Sequence, residues 1–147
     1  MAEYVGYRII IAREVAATPG TYAAFGQVRD IDGPSASADQ IETSHRDSQL
    51  RKYQAGMRDA GEVSFDIVFD PDLAAHDPTV VTSVYKDWEL GRLANYKLTF
   101  PGVVAAITTC IFSAFTSGFA FSAPMEDALT ASITLKINGV LTWAHVP

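Results

Sequence analysis

Apolar and polar residues alternate with a period of two over much of the chain. The clearest case is GEVSFDIVFD, residues 61–70, with Val63, Phe65, Ile67 and Phe69 on one side and Glu62, Ser64, Asp66 and Asp70 on the other. Successive strand side chains point to opposite faces, so this pattern predicts a strand with one dry face and one wet face. Residues 128–138 repeat it, with Leu129, Ala131, Ile133, Leu135 and Ile137 set against Thr130, Ser132, Thr134, Lys136 and Asn138. Further strands are expected at 5–15, 23–31, 40–44, 95–100 and about 105–121. In the last of these, Ile111, Phe115, Phe119 and Phe121 are expected on one face, and Cys110, Ala114, Thr116, Gly118 and Ala120 on the other. The clusters ATPG, DGPSASAD and DPD read as turns between strands. Asn138-Gly139 is a two-residue hairpin signal that leaves room for a short final strand.

One segment breaks this pattern in favour of a helix, expected at 78–90. Asp77 suits its N-cap, Pro78 the first helical position and Gly91 the position after its end. Val81, Val84, Tyr85 and Trp88 make an apolar stripe at spacings of three and four, with Lys86, Asp87 and Glu89 off it. The fold class that follows is mainly β, an antiparallel sandwich or barrel with one flanking helix at about 78–90. Residues 1–147 read as one domain, and 147 residues suffice for a real hydrophobic core.

A second stretch, TSHRDSQLRKYQAGMRDAG at 43–61, is expected to be a long loop between strands. It holds four of the eleven basic residues (Arg46, Arg51, Lys52 and Arg58), with His45, Asp47, Tyr53 and Asp59 among them. Loops of this length in compact domains are usually functional or disordered. The stretch could contact phosphates, aided by Tyr53. Asp47 and Asp59 interrupt it, however, and the chain as a whole carries a net charge of −6. Nucleic-acid-gripping proteins usually carry a basic excess, so a solvated or subunit-contacting loop is the better reading.

Composition narrows the chemistry further. Cys110 is the single cysteine, which excludes an internal disulfide and a cysteine-based metal site and suits a buried filler. His45, His76 and His145 are scattered without the spacing of a metal pair. Asp66, Asp70, Asp72 and Asp77, and DIDG at 30–33, match no complete calcium loop and read as turn chemistry. No nucleophile elbow, phosphate-cradling glycine loop or H-E-x-x-H is present, so no catalytic, cofactor or metal site is assigned. The N-terminus lacks the basic and apolar regions of a signal peptide. Between Lys97 and Glu126 no charge occurs, but Pro101, Gly102, Gly118, Pro124 and scattered Ser and Thr argue for strands over a membrane-spanning helix.

The order of these elements resembles the major tail tube proteins of long non-contractile-tailed bacteriophages, prophage tails and gene transfer agents. The resemblance rests on YAAFGQVRDIDGPSASADQIETSHRDS, AGMRDAGEVSFDIVFDPD, the helix with Tyr85 and Trp88, YKLTFPG, and DALTASITLKINGV, in that order. It departs at FPGVVAA, where the family often has a polar residue after the turn glycine. Nothing in the sequence given follows the NGV segment as a further decoration domain. The resemblance implies a non-enzymatic virion protein that assembles with itself into stacked hexameric rings around a tape-measure protein. Terminator and tip proteins would close the tube, DNA would pass through the lumen without specific binding, and assembly would take place in the host bacterial cytoplasm. It also implies that the 43–61 loop, with His45, Arg46, Asp47, Arg51, Lys52, Tyr53, Arg58 and Asp59, contacts the next ring. The wet face of 61–70 (Glu62, Ser64, Asp66 and Asp70) is the expected lumen face, since a basic duct would hold DNA back. The competing readings are a tail-completion or secretion-system tube component, a carbohydrate-binding β-sandwich of the tail tip, and, last, a hydrolase.

Overall fold

The computed structural model describes residues 9–15, 19–26, 28–74, 76–81, 83–101 and 107–147. Along them run β1 (Ile10–Glu14), β2 (Tyr22–Ala24), β3 (Val28–Asp32), β4 (Ser37–Glu42), β5 (Tyr53–Asp59) and β6 (Glu62–Val68). Then follow α1 (Val84–Leu90), β7 (Ala94–Pro101), β8 (Ile107–Ser122), β9 (Thr130–Ile137) and β10 (Thr142–Val146). The part of the expected first strand at 5–8 lies outside the described residues.

One antiparallel sheet has the order β2-β1-β7-β8-β9-β6-β3, with β10 also on β8, while among the described residues β4 and β5 pair only with each other. β2 and β3 lie at opposite ends of that path, yet only residues 25–27 separate them. Four Cα steps reach about 15 Å at most. The sheet therefore curls until its two ends face each other, which makes the fold barrel-like. Phe25 sits in the seam, its ring 5.2 Å from Phe65 of β6 and 6.2 Å from Tyr96 of β7. This inward turn splits the strand expected at 23–31 into β2 and β3.

The inner face carries the core. Val63, Phe65 and Ile67 of β6, and Ala131, Ile133, Leu135 and Ile137 of β9, are buried as their alternation requires. Ile11, Tyr96, Leu98, Cys110, Phe112 and Ala114 complete it across β1, β7 and β8. Burial raises the Cys110 thiol above its ordinary pKa, as suits an inert filler.

β8 corrects the sequence reading in parity. Its 16 residues bury Cys110, Phe112, Ala114 and Thr116, but the register against β9 shifts between Thr116 and Gly118. An extra residue at Ser117 reverses which face later residues occupy. Phe119 therefore packs on the core while Phe115 stands on the outer face, half-exposed. The large-face and small-face assignment fails for that reason.

The Asn138-Gly139 hairpin is likewise corrected. β9 pairs residues 114–122 of β8, and β10 pairs residues 107–111 on the same edge in the same direction. β9 and β10 are thus two lengths of one line, broken at residues 138–141. The Asn138 N–H still donates to Ser113 O at 2.8 Å, so the line resumes without a reversal.

The helix is shorter than expected and turned about its axis. It begins at Val84, with Ser83 as N-cap accepting from the Lys86 N–H, and Gly91 closes it at φ 62°. Asp77 caps a turn instead, accepting from the Thr79 N–H and hydroxyl. These two bonds hold its carboxylate below the ordinary pKa. The run Thr79-Val80-Val81 is β-branched and resists the helical conformation, which accounts for the late start. Val84 and Asp87 are the buried positions, while Val81 and Trp88 are exposed.

Asp87, placed off the apolar stripe by sequence spacing, is fully buried. Arg13 donates to it through Nε at 2.7 Å and Nη2 at 2.9 Å, Arg92 Nε at 2.7 Å, and the Tyr96 hydroxyl at 3.3 Å. Burial alone would lower the Arg13 pKa, but the Asp87 carboxylate outweighs it and the value rises. The Tyr96 phenol is pushed up, by burial first and then by the Asp87 charge. This network ties α1 to β1 and β7.

No helix among the described residues is long and apolar enough to cross a membrane.

Candidate functional site

Two surfaces carry the site residues expected from the sequence: the outer face of the sheet and the β4–β5 ribbon. The outer face is polar because each core-facing residue of β6 and β9 alternates with a hydrophilic one. Glu62 lies opposite Lys136, Ser64 opposite Thr134 and Asp66 opposite Ser132. The Ser132 hydroxyl donates to Asp66. On β7 and β8 the Ser113 hydroxyl donates to Asn95 Oδ1 at 2.6 Å. Acceptors and hydroxyls thus predominate where β6 meets β9, while Val68, Ile107, Ile111 and Phe115 are apolar positions of the same face and Lys97 and Lys136 cations on it.

Three of the four residues expected on one wet face are there: Glu62, Ser64 and Asp66. Asp70 is not. β6 ends at Val68, and Asp70 lies in the following turn. Its N–H donates to His76 Nδ1 at 3.1 Å, and its carboxylate accepts from the Asp72 N–H at 3.0 Å. A register that would have carried Asp70 outward stops because the Pro71 turn begins there.

The expected continuous loop at 43–61 is also corrected. Residues 53–59 are strand β5, paired with β4 from Ser37↔Asp59 to Glu42↔Tyr53. The signal was present in the alternation of Tyr53, Ala55 and Met57 with Gln54, Gly56 and Arg58. Neither face is buried, so that alternation has no apolar contrast and does not stand out in the sequence. What remains as a connection is 43–52, drawn tight by Thr43 N–H to Lys52 O at 2.8 Å and Lys52 N–H to the Ser44 hydroxyl at 2.7 Å. His45, Arg46, Asp47, Arg51 and Lys52 gather at this tip. Tyr53 and Arg58 lie on the ribbon, exposed.

Asp59 stands apart from the other seven, at the root of the arm. It accepts from the Gly61 N–H at 2.9 Å and from Lys136 Nζ at 3.0 Å. The Gly61 bond first, then Lys136, holds its carboxylate below the usual value. Sequence reasoning missed Lys136 as its partner because 77 residues separate them.

The root is also where main chains pass at contact distance. A Cβ on Gly61 would lie 2.2 Å from Ser35 O, and one on Gly33 2.3 Å from Glu62 O, both at positive φ. Only glycine meets both demands. β3 thus runs on into β4, and β5 returns into β6, so the ribbon projects from the end of the sheet where β6 begins. An open groove of about 930 Å³ between Met57, Ile137, Val140 and Leu141 separates the arm from the sheet.

The sequence and the overall fold have counterparts among known proteins. The model of the phage tail tube, TTP, lambda-like family matches residues 10–90. No curated protein matches the chain in sequence. In fold, the chain is similar to the tail of an empty gene transfer agent particle refined helically with C6 symmetry. The TM-score is 0.78 at 14% identity, over 97% of this chain and 99% of that one. It is similar to a chain of the native gene transfer agent virion, with TM-score 0.73, 12% identity and coverage of 97% and 99%. The SPP1 tail tube, solved by solid-state NMR and cryo-EM, gives 0.71 at 12% identity, over 96% of this chain and 78% of that one.

Proposed function

The chain belongs to the lambda-like phage tail tube family and is a structural subunit of a tail tube; from that premise we propose that it polymerises as stacked hexameric rings held together by the β4–β5 arm. Residues 1–147 act as one tail-tube domain without catalytic activity. The observation that carries this reading is the arm itself. A two-stranded ribbon is marginal in water on its own, yet among the described residues β4 and β5 pair only with each other and expose both faces. Such an element gains its stability when another surface covers it. The sixfold count follows the C6 symmetry of the gene transfer agent tail to which the fold is similar.

The outer sheet face, with Glu62, Ser64 and Asp66, lines the lumen. Each phosphate neutralised by a cation adds affinity for DNA, so hydroxyls and carboxylates let DNA pass without being held. Before DNA enters, a tape-measure protein fills the tube, and terminator and tip proteins close its ends. Assembly proceeds in the cytoplasm of the bacterial host.

Electron microscopy of the purified chain tests the reading, with residues 43–52 replaced by a two-residue turn in a second protein. The intact chain is expected to form long hollow tubes and the shortened one only subunits or single rings. Tubes of normal length from the shortened chain, or none from the intact one, would overturn it. For the lumen, Asp66→Lys is expected to leave tubes intact and slow genome delivery. Unchanged delivery would place that face elsewhere.

A further inference from the structure

The sheet has two ends, and the pairing registers assign residues to each. The arm leaves the end where Glu62 begins β6 and Ile137 ends β9. At the other end β6 closes at Val68, β9 opens at Thr130 and β8 finishes at Ser122. There the turn after β6 and the loop before β9 are joined by Phe69 N–H to Leu129 O at 2.9 Å.

These ends differ in chemistry. The arm tip carries Arg46, Arg51 and Lys52 against the single carboxylate of Asp47, with Leu50 81% exposed among them. The far end carries Asp72, Glu126 and Asp127, and no Lys or Arg occurs between residues 59 and 85 or between 98 and 135. Among those carboxylates stand exposed apolar side chains: Met125 fully, Phe121 by half and Leu129 by about a third. An apolar patch rimmed by charge marks an interaction surface.

We propose that this far-end patch is the seat of the arm tip of the next copy along the tube. The inference rests on the arm reading given above and adds the identity of the receiving surface. Leu50 enters between Phe121, Met125 and Leu129, and the cations at the tip face Asp72, Glu126 and Asp127. A contact between two different patches of one chain is head-to-tail and does not close on itself. It therefore propagates as an open filament, with strands running along the tube. The charges set approach and register, and the apolar contact holds the joined state.

The test uses charge reversal in full-length chains, read by sedimentation and electron microscopy of tubes. Arg51→Glu with Lys52→Glu, and separately Glu126→Lys with Asp127→Lys, are each expected to slow tube growth by about tenfold or more. Combining all four is expected to restore growth toward the original rate. Wild-type growth after reversal at the far end, or a fourfold variant no better than the arm variant, would overturn the seat. The arm reading would still stand so long as the chain shortened at 43–52 fails to make tubes, so the two failures are distinguishable. A second measurement is independent of charge. Leu50→Cys with Met125→Cys should give an oxidation-dependent ladder of multimers from assembled tubes, because the two sites lie at opposite ends of one chain. Tubes that yield no ladder would count against the seat.

Discussion

The curled sheet and the arm are built from the same alternating two-residue pattern, yet they obey opposite rules of stability. In the sheet each alternation has a dry side. Residues such as Phe65, Leu135 and Ile133 are buried, each contributing roughly 1.5–3 kcal/mol as the side chain leaves water. In the arm, Ile41, Tyr53 and Met57 are exposed, and the ribbon relies on its own ladder and on the Asp59–Lys136 contact at its root. The sheet is complete within one chain. The arm is an unfinished surface, and its sequence is under no pressure from this chain's own core.

The largest effect that would sharpen the contrast lies at Asp87. Asp87→Ala leaves Arg13 and Arg92 without their shared carboxylate, and is expected to cost about 3–5 kcal/mol of unfolding free energy. Denaturant unfolding measures it, and a loss under about 1 kcal/mol would show that helix packing alone holds α1. Gly61→Ala comes next. Its Cβ would meet Ser35 O at 2.2 Å and φ +83°, so the arm root must shift, at a cost of about 1–3 kcal/mol. Tube formation should fall while circular dichroism of the sheet persists; normal tubes would show that the root tolerates a new geometry.

Substitutions on the arm should show the reverse pattern. Ile41→Ser or Met57→Ser is expected to change stability by no more than about 0.5 kcal/mol while reducing assembly. Equal losses in both readouts would mean that the arm belongs to the folded core after all. The smallest effect is electrostatic. Asp59 has its pKa lowered from 3.8 in the folded chain, by the Gly61 N–H first and then by Lys136. Its contribution is therefore complete above that value and is lost as pH falls through the lower, folded one. The Gly61 amide shift in NMR should titrate below 3.8, with the core amides unmoved. A midpoint at or above the unperturbed value would dissolve the proposed anchor.

The sequence alone determined the strands within 61–70 and 128–138, the buried cysteine and the antiparallel, mainly β class, because a half-buried strand must alternate. It also carried the resemblance to tail tube proteins, through the order of its turns and strands. Tertiary structure decided the rest. One inserted residue at Ser117 reversed the faces of β8, and local spacing cannot register a bulge that only a partner strand reveals. Asp87 went inward because Arg13 and Arg92 converge there, a pairing set by packing α1 on β1 and β7. Asn138-Gly139 became a break in a line because β8 was long enough to receive two strands on one edge. And 53–59 became a strand although it buries nothing, since β4 lay within reach to complete its ladder.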